Sequence, residues 1–165
     1  MQTHKLCFLV GFCVFLVSCQ DNVMYSDYKS FDYGWFKSDT LMFDIQAPDT
    51  IKPYDLFFVT RVNQDYEFNN LYLIANISFP NGKQIGDTLE YEMAESDGEL
   101  MGKGFGSVKE SKLWYKSNVI FTEKGDYTLE VKHAMRKFEK VEALDTLHGI
   151  MDFGVHLETI KPTEN

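Results

Sequence analysis

Leu71, Leu73, Ala75, Ile77 and Phe79 place an apolar side chain at every second position, and Pro80-Asn81-Gly82 follows at once. A period of two belongs to an extended strand with one buried face, because successive side chains in a strand point to opposite sides. Asn-Gly accepts the positive φ that a tight hairpin turn needs. The return run, 85–93, carries Leu89, Tyr91 and Met93 on one face. Such a hairpin must cover its apolar face with a second layer. The rest of the chain repeats the pattern. Leu41, Phe43 and Ile45 alternate with polar neighbours. In 54–62, Leu56, Phe58 and Val62 face one way, Phe57 and Val59 the other. Further runs lie at 113–121, at Tyr127, Leu129 and Val131, and at Ile150, Phe153, Val155 and Leu157. Turn residues separate them, notably Asn63-Gln64-Asp65 and Glu123-Lys124-Gly125-Asp126. The spacing predicts an all-β chain: an antiparallel β-sandwich of about eight strands in two sheets, immunoglobulin-like or jelly-roll-like.

Two stretches break the alternation. Residues 94–107 contain Asp97-Gly98 and then Gly102, Gly104 and Gly106, which predicts tight turns and close chain approach. Residues 136–144 are charged and fit either a short helix or a long hairpin loop. Ahead of the first firm strand, Tyr25, Tyr28, Phe31, Tyr33, Trp35 and Phe36 form an aromatic-rich segment. It reads as an N-terminal edge strand with Phe31, Tyr33 and Trp35 facing the core, or else as an aromatic recognition surface.

The N-terminus has a different character. Lys5 precedes an apolar run from Leu6 to Val17, too short for a bilayer core that needs roughly 20 residues. A charged start, an apolar middle and a small residue at the boundary make a secretory signal. Leu16-Val17-Ser18-Cys19 resembles a bacterial lipobox: a large aliphatic residue three before the cysteine, then a small residue directly before it. The expectation is cleavage after Ser18 and acylation of Cys19, with two or three chains (palmitate among them) anchoring the protein stably. The domain reading is therefore a signal at 1–18, a lipidated tether with the aromatic segment at 19–38, the sandwich at 39–160 and a tail at 161–165. Gln20, and not Asp, follows the cysteine, which favours the outer membrane of the cell envelope.

Charge and cysteine content narrow the function. Removing 1–18 leaves 15 basic and 25 acidic residues, a net charge near −10. A duplex or an anionic headgroup surface repels a chain of this charge, so nucleic acid is not expected as a partner. Cys7 and Cys13 leave with the signal, so no disulfide framework and no cysteine metal site remains. His133, His148 and His156 lack the spacing that puts two imidazoles on one metal. Ser96, Ser107 and Ser111 sit in no nucleophile elbow. Gly102-Lys103-Gly104-Phe105-Gly106 has the glycine density of a phosphate loop without its spacing. Asp152-Phe153-Gly154 stands alone, without the other kinase elements. Asp65, Glu67, Asp87, Glu90, Glu92, Glu95, Asp97 and Glu99 gather near one hairpin. They read as a solvated acidic face, with a calcium site or a catalytic carboxylate pair as alternatives. No catalytic residue, metal ligand or cofactor is assigned.

The order and spacing of several segments resemble one family. They are Cys19, Trp35, Tyr66-Glu67-Phe68-Asn69-Asn70-Leu71-Tyr72, Phe79-Pro80-Asn81-Gly82 and Asp87-Thr88-Leu89-Glu90-Tyr91-Glu92-Met93-Ala94. Gly102-Lys103-Gly104-Phe105-Gly106, Leu113-Trp114-Tyr115-Lys116, His133-Ala134-Met135-Arg136, Gly149-Ile150 and Asp152-Phe153-Gly154 follow. Together they resemble the gliding-motility lipoproteins of the GldH type from Bacteroidetes. The resemblance implies a non-enzymatic envelope lipoprotein needed by gliding machinery that is linked to type IX secretion. Only Cys19 carries over as a functional residue. The expected partners are the lipid bilayer and proteins of that machinery, with Trp35 and Trp114 as candidate contact residues. A carbohydrate-binding module, with or without calcium, is the alternative, and it would call for a flat exposed pair of aromatic rings.

Overall fold

The computed structural model describes residues 22–160. The alternating runs fold as ten strands: β1 (Val23–Ser30), β2 (Trp35–Phe36), β3 (Leu41–Gln46), β4 (Tyr54–Val62), β5 (Asn70–Ser78), β6 (Gln84–Glu92), β7 (Lys109–Val119), β8 (Asp126–His133), β9 (Thr146–Leu147) and β10 (Ile150–Thr159). One four-stranded sheet has the order β1-β10-β4-β7 and the other β3-β8-β5-β6, with β2 and β9 forming a short ribbon. Every pairing is antiparallel.

The eight long strands pair first with last, second with seventh, third with sixth and fourth with fifth. That is one long hairpin rolled on itself, the jelly-roll connectivity, and it decides against the immunoglobulin alternative. The roll closes where β10 pairs with β4 and β8 pairs with β5. The Asn81-Gly82 turn lies as expected, with Gly82 at φ 86° and the Phe79 N–H donating to the Lys83 carbonyl. Residues 136–144 are a hairpin loop and not a helix, with Arg136 bridging to Ala143.

The core fills the space between the sheets. Phe58 stacks on Tyr115 at 4.6 Å between centroids and packs against Phe153 at 5.2 Å. Trp35 is 0% exposed. It lies 5.1 Å from Phe153, stacks on Phe31 at 5.5 Å, and donates its Nε1–H to the Asp39 carbonyl. The β2–β9 ribbon thus closes one end of the sandwich.

The sandwich starts at Val23, earlier than the expected boundary at 39. β1 alternates half-buried and exposed positions, but its half-buried face includes Asp27 and Lys29. Lys29 keeps its ammonium 5.3 Å from the Phe43 ring centroid, and Asp27 accepts from it at 2.8 Å. Polar residues on the inward side of an edge strand hid its period. Within the aromatic segment, Phe31 packs partly against the core, whereas Tyr33 is exposed.

Candidate partner-binding face

The outer face of the β1-β10-β4-β7 sheet carries a linked group of polar and aromatic side chains, Trp114 exposed among them. β10 sends Phe153, Val155 and Leu157 into the core. Strand alternation then sends Asp152, Gly154, His156 and Glu158 outward. Register lines these up across the sheet: Ser26, His156, Phe57 and Trp114 in one row, Tyr28, Gly154, Val59 and Lys112 in the next, Ser30, Asp152, Arg61 and Glu110 in a third.

A chain of polar contacts crosses these rows. Tyr28 Oη lies 2.7 Å from His156 Nε2, and His156 Nδ1 is 3.6 Å from Glu158 Oε1. Glu158 in turn accepts from Lys112 Nζ at 2.6 Å, and the same ammonium sits 3.9 Å from the Phe57 ring centroid. Burial, with the Glu110 charge adding to it, raises the Tyr28 pKa above its ordinary value, so the phenol stays protonated. The Tyr28 ring lies over Gly154, where an added Cβ would come within 2.4 Å of Cδ1. Asp152 is nearly buried. It pairs with Arg61 at 2.8 Å and accepts from Ser30 Oγ at 2.5 Å. The tripeptide Asp152-Phe153-Gly154 is thereby explained: one residue ties β10 to β1 and β4, the next fills the core, and the third makes room for a ring.

Trp114 is 53% exposed and stands edge-on to Phe57, with centroids 4.7 Å apart and planes at 84°. The pair is therefore not a flat platform. Beside Trp114 an apolar cleft of ≈ 550 Å³ opens between the sheets, lined among others by Ile77, Phe79, Ile85 and Phe121. Polar bonds stitch the sheets together at this side. Tyr91 Oη donates to the Trp114 carbonyl at 2.8 Å, while Asp87 accepts from Tyr115 Oη at 2.9 Å and pairs with Lys116 at 2.8 Å. Burial opposes ionisation of Asp87, but Lys116 and Tyr115 outweigh it and hold the carboxyl below its ordinary pKa.

The predicted site residues separate. Trp114 is available to a partner. Trp35, the other candidate contact, is enclosed in the core and cannot touch one without unfolding the ribbon. Cys19 lies outside the described residues. The acids near the β5–β6 hairpin spread apart, and among the described residues no three His, Cys, Asp or Glu side chains converge on a point. Gly102 and Gly104 serve chain approach: a Cβ would meet the Glu110 carbonyl at 2.5 Å and the Val108 carbonyl at 2.1 Å. Ser111 is buried and donates to the Met101 carbonyl. Sequence reasoning missed the chain from Tyr28 to Lys112. The outward alternation of β10 was its one local signal, and the partners lie on strands distant in sequence.

Comparison with known proteins agrees over nearly the whole chain. Residues 23–157 match the family described as GldH lipoprotein. The "Gliding motility lipoprotein GldH homolog" of Christiangramia forsetii is 45% identical over 159 residues, covering 96% of this chain and 98% of that protein. The "Gliding motility lipoprotein GldH" of Flavobacterium johnsoniae is 43% identical over 145 residues, covering 88% and 90%. Among solved structures, that of infectious bursal disease virus Gx strain aligns with a TM-score of 0.38 at 14% identity, covering 85% of this chain and 32% of that one. On this match, and on two relatives above 40% identity across almost their full lengths, the chain belongs to the GldH lipoprotein family.

Proposed function

We propose that this chain is a lipid-anchored envelope protein that supports a gliding apparatus linked to type IX secretion, through contacts with other proteins and without catalysis. The observation that carries the reading is Leu16-Val17-Ser18-Cys19 standing just ahead of a domain whose relatives bear the name of gliding motility lipoproteins. Acyl chains on Cys19 confine the domain to a plane, most favourably the outer membrane given Gln20. Confinement raises its effective concentration near other membrane components, so weak contacts suffice. The outer face around Trp114 is the surface offered to them. A half-exposed tryptophan edge-on to a buried Phe57, whose ring lies under the ammonium of the Lys112–Glu158 pair, has the make-up of an interface anchor.

The test is crosslinking in intact cells with a tag after Asn165. Trp114→Ala is expected to cut recovery of the partner by about 30-fold, the equivalent of about 2 kcal/mol for a central anchor, with the fold intact by circular dichroism. Undiminished recovery removes the Trp114 face from the reading. Membrane fractionation and palmitate labelling of Cys19→Ser address the anchor, and unchanged behaviour in both ends the lipoprotein reading.

A further inference from the structure

The strand that follows the lipid site also fixes which end of the sandwich meets the membrane. Asn22 stands three residues after Cys19, and three residues reach at most about 11 Å. The Asn22 carbonyl is itself held at the end of β10, accepting from the Thr159 N–H at 2.9 Å. Whatever lies at that end of the sandwich lies close to the lipid.

Register identifies that end. Thr159 pairs with Tyr54, and Tyr54 pairs with Val119. The 47–53 loop enters β4 there, and Ile120 leaves β7 there. Ala47 donates to the Gly125 carbonyl at 3.2 Å, and Gly125 abuts Pro80 in the β5–β6 turn. The loops 47–53, 79–83 and 118–125 therefore form one surface around Asn22.

Three features suit that surface to a bilayer, and the third, its charge, sets it apart from the opposite end, which also exposes apolar side chains at Tyr33, Phe105, Phe138 and Val141. It exposes apolar tips: Ile51 is 82% exposed and Ile120 47%. It is held in shape, because the Asp49 carboxylate accepts from the Ile51 N–H at 2.9 Å, the Lys52 N–H at 2.7 Å and Tyr54 Oη at 2.6 Å, between Pro48 and Pro53. It is also free of the acidic excess. Its three loops carry Lys52, Lys83 and Lys124 against two carboxylates, Asp49 and Glu123. The loops of the opposite end (31–40, 63–69, 93–108 and 134–149) carry ten carboxylates against five lysines and arginines. An anionic headgroup layer repels the second and admits the first.

We infer that the end built by the 47–53, 79–83 and 118–125 loops rests on the bilayer, with Ile51 and Ile120 entering its interfacial layer and Lys52, Lys83 and Lys124 at headgroup level. The inference rests on acylation of Cys19. The acyl chains supply the attachment. The isoleucines and lysines set the tilt, so that the domain stands with β1 and β10 rising from the membrane and the acidic loops facing away.

Single cysteines test this in the full, processed, acylated chain, whose only other cysteine is the blocked Cys19. Ile51→Cys, Ile120→Cys, Phe105→Cys and Phe138→Cys each receive a polarity-sensitive fluorophore. Each is reconstituted into vesicles of phosphatidylethanolamine and phosphatidylglycerol containing spin-labelled lipid. Phe105 and Phe138 are exposed in the opposite loops and report on that end. Blue-shifted emission at 51 and 120, with severalfold stronger lipid quenching there than at 105 and 138, supports the inference. Equal quenching at all four positions overturns it, as does quenching at 105 and 138 alone. A blue shift at 51 and 120 without lipid quenching places a protein partner or a second copy on this end, and also overturns it. If the wild-type chain fails to float with vesicles, the acylation reading falls and this inference falls with it. Flotation without quenching at 51 and 120 sinks this inference alone.

Discussion

His133 is a buried imidazole that makes the stability of this domain respond to mild acid. It is 6% exposed, directly opposite Leu73 on β5, with its ring edge-on to Trp35 at 5.5 Å and 76°. Neither ring nitrogen makes a well-formed hydrogen bond among the described residues, the Trp35 backbone giving at most a weak one. Burial lowers its pKa from the ordinary 6.5, and the Trp35 backbone and the Asp39 charge offset only part of that. The unfolded chain therefore takes up a proton on His133 more readily than the folded one. Stability from this residue is complete well above pH ~6.5. It is lost as the pH falls through that value, with a slope of at most about 1.4 kcal/mol per unit, until the folded state protonates as well. His133→Leu removes both the titration and the two unpaired nitrogens, whose desolvation costs about 1–3 kcal/mol. Urea unfolding of the signal-free Cys19→Ser chain, with and without His133→Leu, is the assay. The variant is expected to be at least as stable at about pH 7.5, and its advantage to widen toward about pH 5.5. Asp49 and Asp145, whose pKa values are held low chiefly by hydrogen bonds from Tyr54 and Lys37, act at lower pH and are common to both chains. A difference that stays constant across the range would refute the reasoning, because the imidazole would then titrate alike in both states.

Two further substitutions probe the ribbon and the outer face. Trp35→Ala removes the stack on Phe31, the contact with Phe153 and the Nε1–H bond to Asp39, and is expected to cost about 3–5 kcal/mol by calorimetry or denaturant. A loss below about 1 kcal/mol would mean that the β2–β9 ribbon does not seal the core. Gly154→Ala pushes the Tyr28 ring off the sheet and breaks its bond to His156, costing about 1–3 kcal/mol. Adding Tyr28→Ala removes the clash with the ring and leaves only the approach to the Asp27 carbonyl at 2.8 Å, so the double variant should lose less than the two single losses summed. Strict additivity would show that the ring does not lie where Gly154 needs it.

The period of two carried most of the fold. The run from Leu71 to Phe79 and the segment 54–62 appear as β5 and β4 almost to the residue, because each strand's burial is a local property of its alternation. His133 was legible in the same way: it continues the inward series Tyr127, Leu129 and Val131. Trp114 sits between inward Leu113 and Tyr115, so its outward placement follows from the strand alone. Trp35 was legible only in part: the alternation Phe31, Tyr33, Trp35 pointed it inward, but the same alternation misplaced Tyr33, and β2 is two residues long with its enclosure dependent on β9, more than a hundred residues away. The choice between immunoglobulin and jelly roll was illegible for a related reason. It turns on the pairing of β1 with β10, a contact between the two ends of the domain that no local pattern encodes. The lipobox-like Leu16-Val17-Ser18-Cys19 is a linear motif, so it stands in the sequence independently of any strand.

The order of the strands relates the proposed anchor at Cys19 to the candidate contact. β1 leads directly from the tether and occupies one edge of its sheet, while Trp114 lies on β7 at the other edge. Three strand spacings of about 4.8 Å separate them, roughly 14 Å across the sheet. Trp114 also shares a row with Ser26, four residues beyond Asn22, and four residues of strand rise about 13 Å. On the proposed acylation of Cys19 and the orientation inferred from it, Asn22 lies at the membrane surface, and the ring then stands about one strand's half-length above the headgroups and faces sideways. It is too high to insert in lipid and low enough to meet a neighbour held in the same bilayer. A partner reaching down from a distance would meet the acidic loops of the opposite end first. The placement of Trp114 therefore favours a side-by-side contact in the plane of the membrane, the geometry in which confinement by the acyl chains strengthens a weak interface most.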